Sequence, residues 1–358
     1  MRPRALPTLA LLAACHGGSS PVIIGAAGPW SDPSMVSTRN GIDLAVNQLN
    51  ARGGINGRQL QVRYADDHRS GTEAVTVAKA FVDDPAVAGV VGHANSTTML
   101  AAASVYDGHL VALSTKATSP DVTGISHWVF RLIPSDSVNG QALGSFAGKL
   151  GASRAAILYE NDAYGRGLAR AFRQHFTGAI VAEQPIDQQP ASFEPYVAYL
   201  RALHPDLVFA VGLTTPGEAL LREAKRQRLD ARFLGGDSWL GIEHDTALAE
   251  GAYVGVPFAL DSTRVQLRQF ISAFTAQYHM APDEDAVLAY DATNLLATAM
   301  LHGANRRETR AYVAALSAAH PYDGAAGPVY FSAGGDPMAV PFAIDRVSHG
   351  ALVPATHE

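Results

Sequence analysis

Short apolar runs alternate with amphipathic helical segments along most of this chain. Residues 22–27 and 87–91 are two such runs, each short enough for a buried strand. Between them, apolar residues spaced i, i+3, i+4 and i+7 predict a helix over residues 38–52. Because strands that alternate with helices pair side by side through right-handed crossovers, this rhythm predicts an open parallel sheet covered by helices.

The same rhythm returns in a second series of segments. The pattern predicts strands at 155–159, 180–182, 207–211, 233–234 and 254–258, with helices between them. Two long helical patterns follow at 265–278 and 285–301, and Gly-Pro and Gly-Gly turns in 322–353 indicate strands and hairpins. A chain of 358 residues accommodates two domains. We therefore expect an α/β fold with two doubly wound parallel-sheet lobes.

The N-terminal segment has the features of a secretory signal. Arg2 and Arg4 precede a short apolar run, and small residues lead to Cys15, the only cysteine in the chain. The string Leu12-Ala13-Ala14-Cys15 resembles a bacterial lipobox, which implies cleavage before Cys15 and a lipid on its sulfur. We interpret residues 1–14 as a signal peptide and 15–20 as the lipidated cysteine with a flexible tether. A chain with no second cysteine excludes internal disulfides and cysteine metal sites.

Composition and motifs argue against several functional classes. With 27 Lys and Arg against 33 Asp and Glu, the formal net charge of −6 disfavours nucleic acid as a partner. The dinucleotide fingerprint, the phosphate-binding loop, the nucleophile elbow and the H-x-x-x-H zinc pair are all absent from the sequence. His93 follows a strand and suits a general base, but a single histidine there is more often a structural donor. We expect no enzyme, no cofactor and no metal.

The segment after the strand at 87–91 contains the first candidate site. Asn95, Ser96, Thr97 and Thr98 crowd the predicted start of the next helix. Free backbone N–H groups and the helix dipole make such a start a site for a carboxylate or phosphate. Alternatively, these side chains only cap their own helix.

An ordered set of short strings resembles the branched-chain amino-acid-binding family of ABC importers. The strings are Asn40-Gly41, Gly53-Gly54-Ile55-Asn56-Gly57-Arg58, Asp66-Asp67, Gly92-His93, Ala117-Thr118-Ser119-Pro120, Phe130-Arg131, Pro134-Ser135-Asp136, Tyr164-Gly165-x-Gly167 and Gly235-Gly236-Asp237. The resemblance covers nearly the whole chain after the N-terminal segment. It implies the type I periplasmic-binding fold, in which two α/β lobes close on a ligand across a hinge of several strands. We expect residues 21–133 plus 260–335 in the first lobe and 134–259 plus 336–358 in the second.

The resemblance also implies roles for individual residues. Ser96 matches a hydroxyl that holds the ligand carboxylate, and Ala117 and Thr118 match the loop that completes this contact. Tyr164 and Asp237 match second-lobe residues that face the ligand ammonium. Hydroxyl and N–H donors suit an anion, whereas a buried carboxylate suits a cation.

Several positions depart from the family pattern. Asn95 stands where well-known members have a cysteine, Leu213 replaces an aromatic residue, and Lys116 replaces a small one. Trp239 and Tyr290 either wall the side-chain pocket or pack in the core. These changes leave the ligand open among an amino acid, an amide and a small carboxylate.

The resemblance thus predicts an extracytoplasmic solute-binding lipoprotein that delivers a small ligand to the permease of an ABC importer. We expect it to act as a monomer, anchored to a membrane through Cys15. A sensor subunit that signals to a membrane receptor is the alternative.

Overall fold

The computed structural model of the protein describes residues 20–187, 190–212, 214–257, 263–338, 340 and 342–355. Two sheets of parallel strands, each covered by helices on both faces, form two lobes, which confirms the predicted fold class. None of the helices in these ranges combines the length and apolar character needed to cross a bilayer.

The first sheet is entirely parallel. Its strands are β1 (Val22–Gly28), β2 (Leu60–Asp66), β3 (Val87–Val91), β4 (Ala112–Ser114) and β5 (Val129–Arg131), in the order β2-β1-β3-β4-β5. The helices of this lobe are α1 (Val36–Ala51), α2 (Gly71–Asp83), α3 (Ser96–Tyr106), α9 (Val265–Tyr278), α10 (Glu284–His302) and α11 (Arg306–Ala315). One apolar core joins α1, α9 and α10 to the sheet, and a second core joins α2 and α3 to it. Helices therefore cover both faces, as a parallel sheet requires.

The second sheet has a parallel body with an antiparallel edge. Its strands are β6 (Arg154–Glu160), β7 (Ala179–Ile186), β8 (Leu207–Val211), β9 (Arg232–Gly235), β10 (Tyr253–Val256), β13 (Ala343–Ser348) and β14 (Ala351–Pro354), in the order β14-β13-β10-β9-β8-β6-β7. The strand β13 runs antiparallel to β10, and β14 antiparallel to β13. The helices are α4 (Asp136–Lys149), α5 (Ala163–His175), α6 (Glu194–Leu203), α7 (Thr214–Gln227) and the short α8 (Thr246–Ala249). After α11 and before β13 in the chain, β11 (Tyr322–Asp323) and β12 (Pro328–Val329) form a small separate antiparallel pair.

Helix α11 is absent from the sequence-based prediction, which has no element between residues 302 and 321. Asn305 caps this helix, since its side chain accepts hydrogen bonds from the N–H groups of Arg307 and Glu308. Only Thr309 and Val313 are buried on it. A helix with so few apolar residues gives a weak periodic signal, although its capping residue was visible in the sequence.

Candidate functional site

A cavity of about 350 Å³ lies between the two lobes. The first lobe contributes Pro29, Ser34, Met35, Arg69, Ala94, Asn95, Ser96, Lys116, Ile133, Asp283, Glu284 and Asp285, and the second contributes Glu160, Asp162, Tyr164, Thr214, Asp237, Ser238 and Leu240. A volume of this size suits a small molecule.

The topology of both sheets places the cavity. In the first sheet the strand order changes direction between the neighbouring strands β1 and β3. In the second sheet it changes direction between the neighbouring strands β6 and β8. Ligands bind at such switch points, outside the carboxyl ends of the strands. Pro29 follows β1, Asn95 follows β3, Glu160 ends β6 and Thr214 follows β8. The two switch points therefore face each other across one cavity.

Helix α3 opens onto the first-lobe side of this cavity. Asn95 is its N-cap, but its side chain makes no capping hydrogen bond, and its buried Oδ1 atom lacks a hydrogen-bond partner in the described part of the chain. Ser96 is buried, and its Oγ accepts a hydrogen bond of 3.1 Å from the N–H of Ser119. The interpretation that these residues only cap their own helix is thus wrong for Asn95. The positive end of the helix dipole at the cavity favours an anion.

On the second-lobe side of the cavity, opposite the start of α3, lies the carboxylate of Asp237. The Tyr164 hydroxyl donates to Asp237 Oδ1 at 2.6 Å and lies 3.0 Å from Ser238 Oγ. Tyr164 sits in the first turn of α5, and Asp237 follows β9. Burial raises the pKa of Asp237, and burial together with the Asp237 carboxylate raises the pKa of Tyr164 well above its ordinary value. A half-buried carboxylate of this kind is stabilised by a cation.

Lys116 lies on the first-lobe wall of the cavity, and its ammonium forms an ion pair with Asp285. Burial alone would lower the pKa of Lys116, but the Asp285 carboxylate outweighs this effect and raises it. The lysine is therefore charged, and its closest acidic partner belongs to the same lobe.

Ala117 and Thr118 do not line the cavity, contrary to the role that the resemblance implied. Both are fully buried behind it. The carbonyl of Ala117 accepts a hydrogen bond from Arg131, and the carbonyl of Thr118 accepts one from the N–H of Asp136. This loop therefore supports the cavity wall from behind. It contacts Ser96 through the N–H of Ser119 and not through Ala117 or Thr118.

Trp239 and Tyr290 pack in the cores rather than around the cavity. Trp239 is 1% exposed and packs in the second-lobe core, where Gly217 and Gly235 leave room for its ring. Tyr290 packs against Phe270 in the first lobe and donates its hydroxyl proton to Gln48 at 2.8 Å. Of the two roles open for each residue, core packing is the observed one. Leu213 lies outside the described residues.

Residues 21–351 match the family described as periplasmic binding protein. The chain belongs to the periplasmic binding protein family. It is 30% identical to the amino acid binding protein of Pseudomonas aeruginosa over 75% of this chain and 70% of that one. It is 29% identical to the leucine-, isoleucine-, valine-, threonine-, and alanine-binding protein of the same organism, over 76% of each chain.

A solved structure agrees with this assignment. The ABC transporter substrate-binding protein of Desulfitobacterium hafniense in complex with Leu superimposes with a TM-score of 0.79, at 30% identity, over 94% of this chain and all of that one. The family resemblance found in the sequence is therefore confirmed. The chain is therefore a binding protein rather than an enzyme.

His93, the candidate general base, has a structural role in this periplasmic binding protein. His93 is fully buried; its Nδ1 lies 2.7 Å from Asp67 Oδ2 and its Nε2 lies 2.9 Å from the Tyr106 hydroxyl. These three side chains tie β3 to α3 and to the loop after β2. Across the ranges that the structure describes, no group of three or more metal-ligating side chains has the geometry to hold a metal ion.

The cavity also contains residues that the sequence analysis did not select. Besides Asp237, five acidic residues of the described ranges line it: Glu160, Asp162, Asp283, Glu284 and Asp285. Two of them cap helices, because Asp162 accepts from the N–H of Gly165 and Asp283 from that of Ala286. Acidic residues are typical of any helix start, so their pattern alone did not indicate a cavity.

The two lobes of this binding protein touch beside the cavity. Thr97 Oγ1, on α3, accepts a hydrogen bond of 3.2 Å from the N–H of Ala163, on α5. Arg170 on α5 forms an exposed ion pair of 2.8 Å with Asp121 of the first lobe. Close approach requires the glycine at Gly167, since a Cβ there would lie 2.7 Å from Pro120. The cavity is thus enclosed by a contact between the starts of two helices.

Proposed function

We propose that this protein is the extracytoplasmic solute-binding component of an ABC importer and that it captures an amino acid in the cavity between its lobes. The observation that carries the proposal is that a helix start whose N-cap side chain makes no capping hydrogen bond lies on one wall, and a half-buried carboxylate lies on the other. The relatives named for amino acids, and the Leu complex, support the same class of ligand.

The proposed binding mode follows from the charges of the two walls. Ser96 and the start of α3 hold the ligand carboxylate, since they offer hydrogen-bond donors and partial positive charge. Asp237 and the Tyr164 hydroxyl hold the ammonium from the second lobe. A ligand that touches both walls stabilises the closed arrangement of the lobes by its differential contacts.

Calorimetry of the purified protein against a panel of amino acids, amino-acid amides and small carboxylates tests this function. We expect saturable binding of an amino acid, and weaker binding of its amide and of the corresponding acid without the amino group, because each lacks one charge of the zwitterion. Equal affinity for the plain acid would contradict the ammonium site. No binding of any amino acid would contradict the proposed ligand class. Loss of uptake in cells without the protein separates the importer role from a sensor role.

The lipid anchor is the second part of the proposal. Cys15 lies outside the described residues, and the proposal rests on the lipobox-like string that precedes it. We expect the wild-type protein to fractionate with membranes and to carry a lipid detectable by mass spectrometry, and the Cys15→Ser variant to be released. A wild-type protein that is soluble and carries no lipid would contradict the anchor.

A further inference from the structure

The cavity has more negative than positive groups. Among the residues that the structure describes, six acidic ones line it, against two basic ones, Arg69 and Lys116. Both basic residues already have carboxylate partners: Arg69 contacts Asp32 at 2.6 Å, and Lys116 contacts Asp285. A zwitterion with an apolar side chain adds one charge of each sign, so it leaves this negative excess unchanged.

Most of the acidic residues have a partner within the protein. Asp162 and Asp283 accept hydrogen bonds from backbone N–H groups, Asp285 pairs with Lys116, and Asp237 accepts the Tyr164 hydroxyl proton. These four carboxylates therefore have hydrogen-bonding or ion-pair partners even when no ligand is bound.

Glu284 is different. It is half-buried on the cavity wall, in the first turn of α10, and its carboxylate forms no hydrogen bond or ion pair with any residue in the described ranges. Burial, with the Asp285 and Asp237 carboxylates nearby, raises the pKa of Glu284 well above its ordinary value, and the charge of Lys116, which is paired with Asp285, offsets this only in part. A half-buried carboxylate without a hydrogen-bonding partner is costly, and a cation is the group that best removes this cost.

We propose that Glu284 binds the side chain of the ligand, and that the ligand is an α-amino acid with a cationic side chain, such as an ammonium or a guanidinium group. The inference rests on the proposed function, because Ser96 and Asp237 then hold the α-carboxylate and the α-ammonium. Glu284 lines the same cavity as both and faces it from α10 of the first lobe. An aliphatic side chain in this position would shield Glu284 from water and offer it no hydrogen-bond donor.

Calorimetry with L-arginine, L-lysine and L-leucine tests the inference in the wild-type protein and in Glu284→Gln. We expect the better of the two basic amino acids to bind about 10- to 100-fold more tightly than leucine, the ratio that a charge-assisted hydrogen bond to a buried carboxylate supplies. Glu284→Gln keeps the shape of the side chain and removes its charge, so we expect this preference to fall to a few-fold or less.

Glu73→Gln is the matched control. Glu73 is an exposed glutamate in the first turn of α2, in the same lobe, so its replacement removes the same charge from the first turn of a helix outside the cavity. We expect it to leave all three affinities unchanged. Thermal unfolding of both variants checks that neither has lost its fold.

The outcomes separate this inference from the proposed function. If leucine binds the wild type as tightly as the basic amino acids, or if Glu284→Gln keeps the preference for them, the inference is overturned and the amino-acid-binding function stands. If none of a full amino-acid panel binds, the proposed function fails, and the inference fails with it.

Discussion

Asp237→Asn is expected to weaken binding of the preferred amino acid by about 2–5 kcal/mol, which corresponds to roughly 30- to several-thousand-fold in Kd. The ammonium of the ligand loses its carboxylate partner in a half-buried site, where a charge is screened less than in water. The amide that replaces the carboxylate keeps an oxygen to accept the Tyr164 hydroxyl proton. The loss therefore reports the missing charge more than a change of shape. Calorimetry at neutral pH measures it.

The pH dependence of binding provides a second readout for the same group. Burial raises the pKa of Asp237, so its carboxyl group becomes protonated at a higher pH than an ordinary aspartate. Only the ionised form attracts the ammonium. We therefore expect the affinity of the wild type to fall as the pH is lowered through this raised pKa, and the fall to be smaller in Asp237→Asn.

Asp230→Asn is the matched control, because Asp230 is an exposed residue of the same lobe outside the cavity. It should bind as the wild type does. If Asp237→Asn binds as tightly as the control, the ammonium site is not at Asp237. If binding is lost only in Lys116→Ala, the ligand is an anion instead, held by the lysine.

The fold was predictable because its signals are local and repeated. Each short apolar run before a helical pattern indicates one strand of a parallel sheet, and the rule that ligands bind at the carboxyl ends of such strands then selects the residues that follow them. Ser96, Lys116 and Asp237 each follow a strand, and all of them line the cavity with Asn95 and Tyr164. Here, proximity along the chain to a strand end was enough.

The sequence is ambiguous or misleading where side chains close in sequence point in different directions. Asp237 lines the cavity, but Trp239, two residues later in the same short 3-10 turn, points into the core. Ala117 and Thr118 follow Lys116 directly and yet lie behind the wall. Such a change of direction depends on the backbone of a loop, which has no periodic signal in the sequence.

The acidic wall could not be predicted for a different reason. Asp283, Glu284 and Asp285 begin α10, more than 150 residues after the strands of the first sheet whose edge they face. In sequence they have the same pattern as any acidic first turn, such as the one that contains Glu73. Only the packing of α10 against α1 brings them to the cavity.

Arg131→Met is the second large effect, and it concerns stability. Arg131 ends β5 and is 1% exposed, and its guanidinium contacts four groups: Asp336 and Thr123 at 2.7 Å, and the carbonyls of Ala117 and Ser119 at 3.1 and 2.9 Å. Its removal takes one donor from the Asp336 carboxylate and one from each of the carbonyls of Ala117 and Ser119. Asp336 then keeps the Thr123 hydroxyl and Ser119 keeps the N–H of Val122. We expect the free energy of unfolding to fall by about 3–5 kcal/mol, measured by urea denaturation at neutral pH.

Arg170→Met is the matched control for this loss. Arg170 forms an exposed ion pair with Asp121 at 2.8 Å, and pairs of that kind contribute about 0–1 kcal/mol, so its removal should change stability by no more than that. An Arg131→Met protein within about 1 kcal/mol of the wild type would contradict the role of the guanidinium network.

Arg131 also connects stability to the candidate site. It fixes the carbonyls of Ala117 and Ser119, and the N–H of Ser119 is the donor that orients the Ser96 hydroxyl at the cavity. We therefore expect Arg131→Met to weaken ligand binding as well, although Arg131 itself does not line the cavity. Replacing Asp336 by Leu in the same protein removes the carboxylate left without its arginine and should recover part of the lost stability. It should not recover the affinity, because the carbonyls of Ala117 and Ser119 still lack the Arg131 guanidinium. Without that guanidinium, nothing in this network keeps the N–H of Ser119 in place against Ser96.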